Sequence, residues 1–274
     1  MNEDIKRIQT AELNILREVL GVLERHSLTS YMLGGTLLGA VRHQGFIPWD
    51  DDIDIGLSRP DYERFLRVAA AELRPPFRLH TLQTGGAAYA YYFARVEDER
   101  LMLRRTLTAR AVDIPVWIDV FPLDGVPEEP AVRERWLKKG ARLNALFELS
   151  QFEYFFQDGA SRRFGGLAVL LKKAVSRLRL YKLLSPARRW AALDRHLKSC
   201  DYAKAETIIN FCGHWGVKEM FPKRIYGAGR LYPFADLQLN GPVDSDTVLT
   251  QMYGDYMTPP PEKERDHHSV EIAR

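Results

Sequence analysis

The pattern of apolar and polar positions predicts a long helix at the start of the chain, followed by short strands. Over residues 2–26 the apolar positions recur at nearly helical spacing, which is typical of an amphipathic helix that lies on a core. Strands are predicted at residues 31–33, 77–82, 89–96 and 111–121, with helices at 37–42 and from Pro60 onward. Because Pro115 cannot donate a ladder hydrogen bond, the strand that contains it should begin late or lie at a sheet edge.

The pattern changes after residue 130. Residues 131–198 are almost entirely helical in character, whereas residues 205–274 return to a short strand, turns and a polar tail. The helical region is also basic. Residues 161–198 hold eleven Lys or Arg and one acid, a net charge of +10, so the remainder of the chain carries −7. A charge block of this size indicates an anionic partner or surface.

Residues 167–184 place their leucines largely on one side of the predicted helix and their basic side chains on another. A helix of this kind can lie at an anionic membrane face, where lipid-linked glycans are found. The alternative is a helix packed on the core with a solvated basic face. Binding to nucleic acid is disfavoured, because the basic block lacks interleaved aromatic side chains of the stacking type.

Composition limits the class of protein. Hydrophobic residues make up 46% of the chain and charged residues 27%, as in ordinary globular proteins. Cys200 and Cys212 are too few for a disulfide framework or a four-thiolate zinc site. The N-terminus has no apolar core of the signal-peptide type, and no uninterrupted apolar run approaches the ~18 residues of a membrane span. We therefore expect a cytoplasmic protein, with peripheral contact at the inner face of the cytoplasmic membrane as an option.

The most informative stretch is a cluster of four aspartates within five positions, Asp50, Asp51, Asp52 and Asp54. Like charges so close together repel one another. Ile53 and Ile55 alternate with the acids, however, and this period of two is typical of a half-buried strand. The pattern predicts a strand at about residues 52–57 whose carboxylates face a cation.

Asp52 and Asp54 leave the same face of such a strand at a backbone separation of roughly 7 Å. Two carboxylates at this spacing can converge on one hard cation, and Mg²⁺ prefers oxygen ligands together with substrate phosphates. The alternative is a solvated acidic loop. A calcium-binding EF-hand loop does not fit, because its sixth position holds Ile55 instead of glycine and its twelfth holds Asp61 instead of glutamate.

Gly34, Gly35 and Thr36 lead from the first strand into a helix that Thr36 can cap. Glycines allow a close approach of the backbone, and a helix start offers amide donors to a phosphate. Without the acidic strand that follows, this would be an ordinary turn.

Asp119 lies inside the apolar run of residues 116–121, where an unpaired carboxylate would be costly to bury. It is either a third carboxylate of the site, delivered from a neighbouring strand, or a member of a buried salt bridge or strand-end cap.

Four other side chains near these elements are candidates for ligand contacts. Arg42 and His43 can contact phosphate or take part in proton transfer, or they can form a surface pair. Trp49 and Trp117 can face a quaternary ammonium group by cation–π attraction, or they can simply pack in the core.

The glycine pair, the D-I-D strand and the third aspartate together resemble the site of polymerase-β-like nucleotidyltransferases. Three blocks in a fixed order strongly resemble the LicD family within that group, and they cover about half the chain. The blocks read GGTLLGAVRHQGFIPWDDDIDIG, VWIDVFPLDGV and RLYPFADLQLNGPVDSDTVLTQMYGDYMTPPP, the last followed by His267 and His268. The type activity of the LicD family is transfer of phosphocholine from CDP-choline to cell-surface glycans, and fukutin-type ribitol-phosphate transferases are relatives.

This resemblance implies an α+β fold with a nucleotidyltransferase (polymerase-β-like) mixed sheet flanked by helices. We expect one catalytic domain over residues 1–274, including a basic, mostly helical insertion at about 131–200 and a C-terminal completing segment at about 205–274. Asp52, Asp54 and Asp119 would hold Mg²⁺, or alternatively Mn²⁺, against the diphosphate of the donor, and Asp119 could double as general base. Gly34, Gly35 and Thr36 would hold the donor phosphates. Further candidates for substrate or nucleotide contacts are Arg42, His43, Trp49, Lys223 and Arg230.

The predicted function is therefore metal-dependent transfer of a phospho-alcohol group from a CDP-activated donor to a hydroxyl of a lipopolysaccharide or teichoic-acid glycan, with release of CMP. Two alternatives stay open at this point. A glycosyltransferase can use a D-x-D motif to hold Mn²⁺ and a nucleotide sugar, and a non-catalytic Ca²⁺-binding or partner-binding module would also explain the acids.

Overall fold

The computed structural model describes residues 3–85, 91–105, 112–151, 183–262, 265 and 270–273. Its helices are α1 (Glu3–Arg25), α2 (Gly34–His43), α3 (Arg59–Glu72), α4 (Leu82–Gly85), α5 (Pro130–Ser150), α6 (Pro186–Leu197), α7 (Lys223–Tyr226) and α8 (Ser245–Tyr253), with a 3₁₀ helix at Gly216–Glu219. Its strands are β1 (Ser30–Met32), β2 (Asp54–Ser58), β3 (Phe77–His80), β4 (Ala94–Arg105), β5 (Val112–Val126), β6 (Thr207–Ile209), β7 (Met220–Pro222), β8 (Arg230–Phe234), β9 (Leu237–Gly241) and β10 (Val270–Ile272).

Eight of these strands form one mixed sheet, in which the order β1-β2-β5-β4-β10 is the main path. The pair β2–β5 is parallel, whereas β1–β2, β4–β5 and β4–β10 are antiparallel. β3 adds to β4, and β6 and β7 extend the far end of β5. β8 and β9 form a separate hairpin. A mixed sheet flanked by helices confirms the predicted α+β class.

Helix α1 covers the sheet with the apolar face that its sequence predicts. It packs across β4 and β5 and against α3, and its side chains on that face are buried. Each fully buried Leu, Ile or Val stabilises the fold by about 1.5–3 kcal/mol relative to an exposed one. The residues concerned are Ile8, Ile15, Leu16, Val19, Val22 and Leu23.

The expectation that the strand begins late at Pro115 was wrong, because β5 begins at Val112. Pro115 lies opposite Met102 at the point where the register of β4 and β5 shifts between Asp98 and Met102. β2 pairs with β5 only from Asp119 onward, so among the described strands Pro115 has a partner on the β4 side alone. Such an edge position accommodates proline, as the other half of the prediction expects. The strand predicted at residues 89–96 was also misplaced, since β4 begins only at Ala94, and residues 86–90 lie outside the described part of the chain.

The helices α5 and α6 pack against each other and form a second layer. Leu193 and Leu197 of α6 are buried there, whereas Leu183, before the helix, is exposed. For Pro186–Leu197 the structure therefore agrees with the second alternative, a helix packed on the core with a solvated basic face, and Arg188 and Arg195 are exposed. Residues 161–182 of the basic segment lie outside the described residues. In the described ranges, every helix is too short or too polar to cross a bilayer.

A buried ion pair joins this second layer to the sheet. Arg59, the first residue of α3, donates to both carboxylate oxygens of Asp124 on β5 at 2.6 and 2.7 Å. Its guanidinium also donates to the hydroxyl of Tyr92 at 3.0 Å, and that hydroxyl donates to Asp194 of α6 at 2.8 Å. Arg59 and Asp124 are 7% and 1% exposed, so their charges compensate each other away from water.

Replacing Arg59 by Met should lower the free energy of unfolding by about 3–5 kcal/mol, because the carboxylate of Asp124 would stay buried without its partner. Urea denaturation measures the change. The matched control is Arg67→Met on the same helix, where the side chain is exposed and the cost should stay within about 0.5 kcal/mol. Equal costs for the two variants would contradict the structural role of Arg59.

Candidate active site

The register of three neighbouring strands aligns two carboxylates and an arginine in one row. Asp54 of β2 is the parallel partner of Asp119 on β5, and Asp119 is the antiparallel partner of Arg95 on β4. Side chains of partnered residues leave the same face of a sheet at the strand spacing of about 4.8 Å. The next row consists of Ile55, Val120 and Ala94, which are 2%, 0% and 0% exposed. Polar and apolar rows therefore alternate along these strands.

Asp52 lies just before the strand, because β2 begins at Asp54, two residues later than predicted. The alternation nevertheless extends to it. Ile53 is fully buried and its carbonyl accepts the backbone N–H of Asp119 at 2.9 Å, while Asp52 and Asp54 are each half-buried. Asp52 therefore continues the same pattern two positions before Asp54, in an extended segment that precedes the strand.

Gly34 and Gly35 lie so close to the aspartates that a side chain at either position would be strained or would clash. Gly34 has a φ of +47°, and a Cβ on Gly35 would lie 2.8 Å from Oδ2 of Asp50. Both glycines belong to the first turn of α2, so the positive end of that helix borders the carboxylates of Asp50 and Asp54. This is the compensation that a close group of like charges requires.

Thr36 does not cap this helix, which corrects the prediction. The N-cap position is Leu33, and no side chain caps the helix. The hydroxyl of Thr36 instead accepts the backbone N–H of Asp54 at 2.8 Å from a buried position. Thr36 thus ties the glycine turn to the first residue of β2.

Arg95 completes the row and was missed from the sequence. Its Nε donates to Oδ1 of Asp119 at 2.7 Å, and the residue is only 7% exposed. The guanidinium lies between two aromatic rings, 3.8 Å from the centroid of Tyr91 and 4.3 Å from that of Trp117. The only signal in the sequence is a single arginine inside the aromatic run YAYYFARV. Of the alternatives for Asp119, the buried salt bridge is therefore present, within the same row as Asp54.

The two tryptophans expected near the site each form a cation–π contact with an arginine side chain. Trp117 stacks on Arg95 and does not line the cleft, while Trp49 lines it and has the guanidinium of Arg265 4.3 Å from its ring centroid. Other aromatic side chains that border the same space are Tyr91, Phe93, Phe121, Trp215, Tyr253 and Tyr256.

These elements bound a cleft of about 690 Å³. One part of its wall consists of the glycine turn and the acidic row. Another part comes from residues 210–219, which the sequence did not single out, and from the end of α8, which lies in the third block of the family resemblance. The polar residues of this second part include Asn210, His214, Glu219, Tyr253 and Asp255.

The electrostatics of the cleft favour a cation. Burial raises the pKa of Asp54 well above its ordinary value, and the charges of Asp52 and Asp119 raise it further. Burial also raises the pKa of Glu12 of α1, and the charges of the nearby aspartates, Asp52 first, raise it further. Glu12 is 2% exposed, and its Oε2 has no hydrogen-bond partner among the described residues. A bound cation would relieve this repulsion.

The donor atoms suit a hard metal ion, because Asp50, Asp52, Asp54 and Asp119 all offer carboxylate oxygens to one cleft. Their side chains do not yet converge. Within the described ranges no three His, Cys, Asp or Glu side chains are arranged so that they could hold a metal ion. The residues therefore fit Mg²⁺ by chemistry and charge, and the metal site stays a prediction.

The remaining candidates divide into those that border the cleft and those that do not. Arg42 borders it and donates to the carbonyl of Tyr256 at 2.8 Å and to Nε2 of His43 at 2.9 Å. His43 lies behind Arg42, and burial followed by the charge of Arg42 lowers its pKa. Lys223 lies away from the cleft, where it donates to the carbonyl of Tyr202, and Arg230 is exposed on β8. His267 and His268 lie outside the described residues.

Comparisons with known proteins place these features in context. A family model described as the nucleotidyltransferase domain of LicD, FKTN and FKRP matches residues 27–127. The lipopolysaccharide cholinephosphotransferase LicD of Haemophilus influenzae is 30% identical over 272 residues, which cover 98% of this chain and 97% of that relative. The ribitol 5-phosphate transferase FKRP of Homo sapiens is 43% identical over 56 residues, or 20% of this chain and 11% of that relative. Similarity to the bacterial relative therefore extends far beyond the matched domain.

Replacing Arg95 by Met should destabilise the protein by about 3–5 kcal/mol, because Asp119 would lose its counter-charge next to Asp54. The matched control is Arg104→Met. Arg104 and Asp113 are the equivalent pair on the same two strands, at 2.9 Å, but their side chains are 46% and 42% exposed. Such an exposed pair contributes about 0.2–1 kcal/mol. Urea denaturation of both variants measures the free energy of unfolding. Equal losses in the two variants would contradict the role of Arg95 as the buried counter-charge of Asp119.

Proposed function

This chain belongs to the LicD family and is a transferase of phosphate-containing groups, and we propose that it moves a phospho-alcohol of the phosphocholine type from a CDP-activated donor to a glycan. The acceptor is a hydroxyl of a cell-surface glycan of the lipopolysaccharide or teichoic-acid kind, and CMP is the second product. The observation that carries this proposal is the cleft in which the glycine turn of α2 meets the carboxylates of Asp52, Asp54 and Asp119.

The relatives support the class of acceptor and of transferred group. The H. influenzae relative is named a lipopolysaccharide cholinephosphotransferase, and its similarity covers nearly the whole of both chains. The FKRP relatives are named ribitol 5-phosphate transferases, although they share only a short segment with this chain. A substituted phosphate is the common element in the two names.

The chain's own residues have distinct tasks in this proposal. Gly34 and Gly35 let the first turn of α2 come close to the donor phosphates, and Arg42 offers its guanidinium from the same helix. The acceptor oxygen attacks the phosphorus that bears the alcohol, and the bond from that phosphorus to the bridging oxygen of CMP breaks. Holding both substrates in this geometry supplies much of the acceleration in phosphoryl transfer.

Asp52, Asp54 and Asp119 are the residues that would hold Mg²⁺, or Mn²⁺ as the alternative. Bound there, the ion would neutralise the carboxylates and stabilise negative charge on the phosphoryl oxygens. Arg95 has a supporting task, because its stacked guanidinium fixes Oδ1 of Asp119. Positions held in this way lose little entropy when a ligand arrives.

Membrane contact is proposed only for residues 161–182 of the basic segment. Leu193 and Leu197 are buried in the second layer and so are not available to insert into lipid. The residues before them keep the composition of an interfacial helix, with leucines and Lys or Arg on different faces.

The proposed activity predicts CMP release from one of a set of CDP-alcohols. The purified protein is incubated with Mg²⁺, cell-envelope glycan and CDP-choline, CDP-ethanolamine, CDP-ribitol or CDP-glycerol, and nucleotide products are separated by chromatography. Incorporation of the phospho-alcohol into the glycan should match CMP release. A UDP-sugar serves as the comparison donor, and release of UDP without any CMP would show a glycosyltransferase instead.

Asp54→Asn should abolish this transfer without lowering the free energy of unfolding, because the substitution removes one of several repelling charges while keeping the shape of the side chain. Asp52→Asn should behave in the same way. The affinity for Mn²⁺, measured by electron paramagnetic resonance, should fall about tenfold or more in both variants.

The control is Asp4→Asn in the first turn of α1, which is exposed and should leave transfer and Mn²⁺ binding unchanged. Wild-type turnover in Asp52→Asn or Asp54→Asn would rule out the metal site at these residues.

A further inference from the structure

The cleft contains a buried carboxyl group that the proposed chemistry has not used. Glu219 is the last residue of the 3₁₀ helix Gly216–Glu219 and is 6% exposed. It lines the same cleft as Asp52, Asp54 and Asp119 but comes from a different part of the chain. A buried carboxyl group in a reaction cleft needs a reason, because its charged form is costly to keep away from water.

The surrounding loop holds this carboxyl group in one position. Oε1 accepts the backbone N–H of Trp215 at 2.9 Å, and Oε2 accepts Nδ2 of Asn210 at 2.7 Å. Gly213 packs directly against it, since a Cβ there would lie 2.1 Å from Oε1. Each carboxylate oxygen can accept two hydrogen bonds, so each keeps a second acceptor position.

The same loop reaches the glycine turn where the donor phosphates are proposed to bind. The ring of Trp215 meets the ring of Tyr253 edge-on, with centroids 5.1 Å apart. The hydroxyl of Tyr253 in turn lies 3.8 Å from the position that a Cβ on Gly34 would occupy. The loop that carries Glu219 and the turn of α2 therefore border one continuous space.

The geometry points to Glu219 as the general base that takes the proton from the acceptor hydroxyl, a role that rests on the proposed transfer. The O–H bond of the acceptor breaks and its proton passes to a carboxylate oxygen of Glu219. The acceptor oxygen bonds to the phosphorus that bears the alcohol, and CMP leaves with the bridging oxygen. Glu219 then returns the proton to solvent, so the step needs no further reactant.

Glu219 suits this role better than Asp119, which the sequence had suggested. Oδ1 of Asp119 is engaged by the guanidinium of Arg95, and a proton would have to be taken up next to that positive charge. The hydrogen-bond donors to Glu219 among the described residues are both neutral. Burial raises the pKa of Glu219 to about 7, although the bonds from Trp215 and Asn210 lower it. A base is most effective when its pKa lies near the working pH.

Four titratable groups on neighbouring elements interact with Glu219, namely Asp54, Cys212, Tyr226 and Tyr253. Burial raises the pKa of Cys212, Tyr226 and Tyr253, so these three stay neutral near pH 7. Burial also raises the pKa of Asp54, and this residue is the one of the four that could produce a similar pH dependence. The variant Asn210→Ala separates the pH dependence of Glu219 from that of Asp54, because the side chain of Asn210 donates a hydrogen bond to Glu219.

The test is the pH dependence of kcat/KM for CMP release by the wild type, Glu219→Gln and Asn210→Ala. Because the ionised form of Glu219 is the base, wild-type activity should fall below a midpoint near pH 7 and level off above it. Glu219→Gln should lose about 100-fold in kcat at pH 8, keep its affinity for CDP within about twofold, and no longer show the acid limb.

Asn210→Ala should keep the acid limb but move its midpoint about one unit to higher pH, since a bond that favours the charged form is lost. Glu219→Gln should fold, because its amide oxygen can still accept from Trp215. Once the amide of Asn210 turns over, the amide nitrogen of the glutamine can donate to Oδ1 of Asn210, which has no hydrogen-bond partner among the described residues. Thermal unfolding verifies this, and the exposed Glu134→Gln should match the wild type throughout.

An unchanged acid limb in Glu219→Gln would overturn the assignment, whether or not the rate falls, and so would an unmoved midpoint in Asn210→Ala. A wild type that releases CMP from none of the CDP-alcohols would overturn the proposed function and this role together. The two failures are therefore distinguishable by the wild type alone.

Discussion

The repulsion between the carboxylates of Asp54 and Asp119 is the constraint on which the rest of the structure depends. The register of β2 and β5 makes them direct neighbours, and two unit charges about 5 Å apart repel by about 3 kcal/mol at an effective dielectric constant of 20. Three features offset this cost. The guanidinium of Arg95 pairs with Asp119, the positive end of α2 borders Asp54, and the hydrogen bond from the backbone of Asp54 to Thr36 fixes the start of β2.

Each of these compensations needs particular residues elsewhere in the fold. The charge of Arg95 stays in place because Tyr91 and Trp117 enclose its guanidinium. Tyr92, next to Tyr91, donates to Asp194 of the second layer and accepts from Arg59, so the buried ion pair of Arg59 and Asp124 also fixes the chain that carries this aromatic clamp. The second helical layer therefore holds Tyr92 in place through Asp194, and Tyr92 in turn holds its neighbour Tyr91 against Arg95.

The sequence predicted those parts of the fold and site that depend on local pattern. Amphipathic spacing identified α1, and the alternation around Ile53 and Ile55 identified the acidic segment within two residues. What it could not predict depends on pairing between distant segments. The early start of β5 at Val112 was missed because residues 112–115 are held by pairing with β4. Arg95 and Glu219 were missed because each acquires its surroundings only on folding, the first from β5 and the second from Asn210 and Trp215. Lys223 and Arg230 were chosen by charge alone, and charge does not indicate which way a side chain faces.

The cleft has two walls of different origin. The wall with the glycine turn and the aspartates falls within residues 27–127, the span that matches the family model. The wall with Asn210, Glu219 and Tyr253 comes from beyond that span. Natural variation can therefore act on the two walls separately. A descendant of this chain could vary the other residues of the second wall, provided that the proposed base Glu219 is kept, while the inherited carboxylates and their arginine stay unchanged.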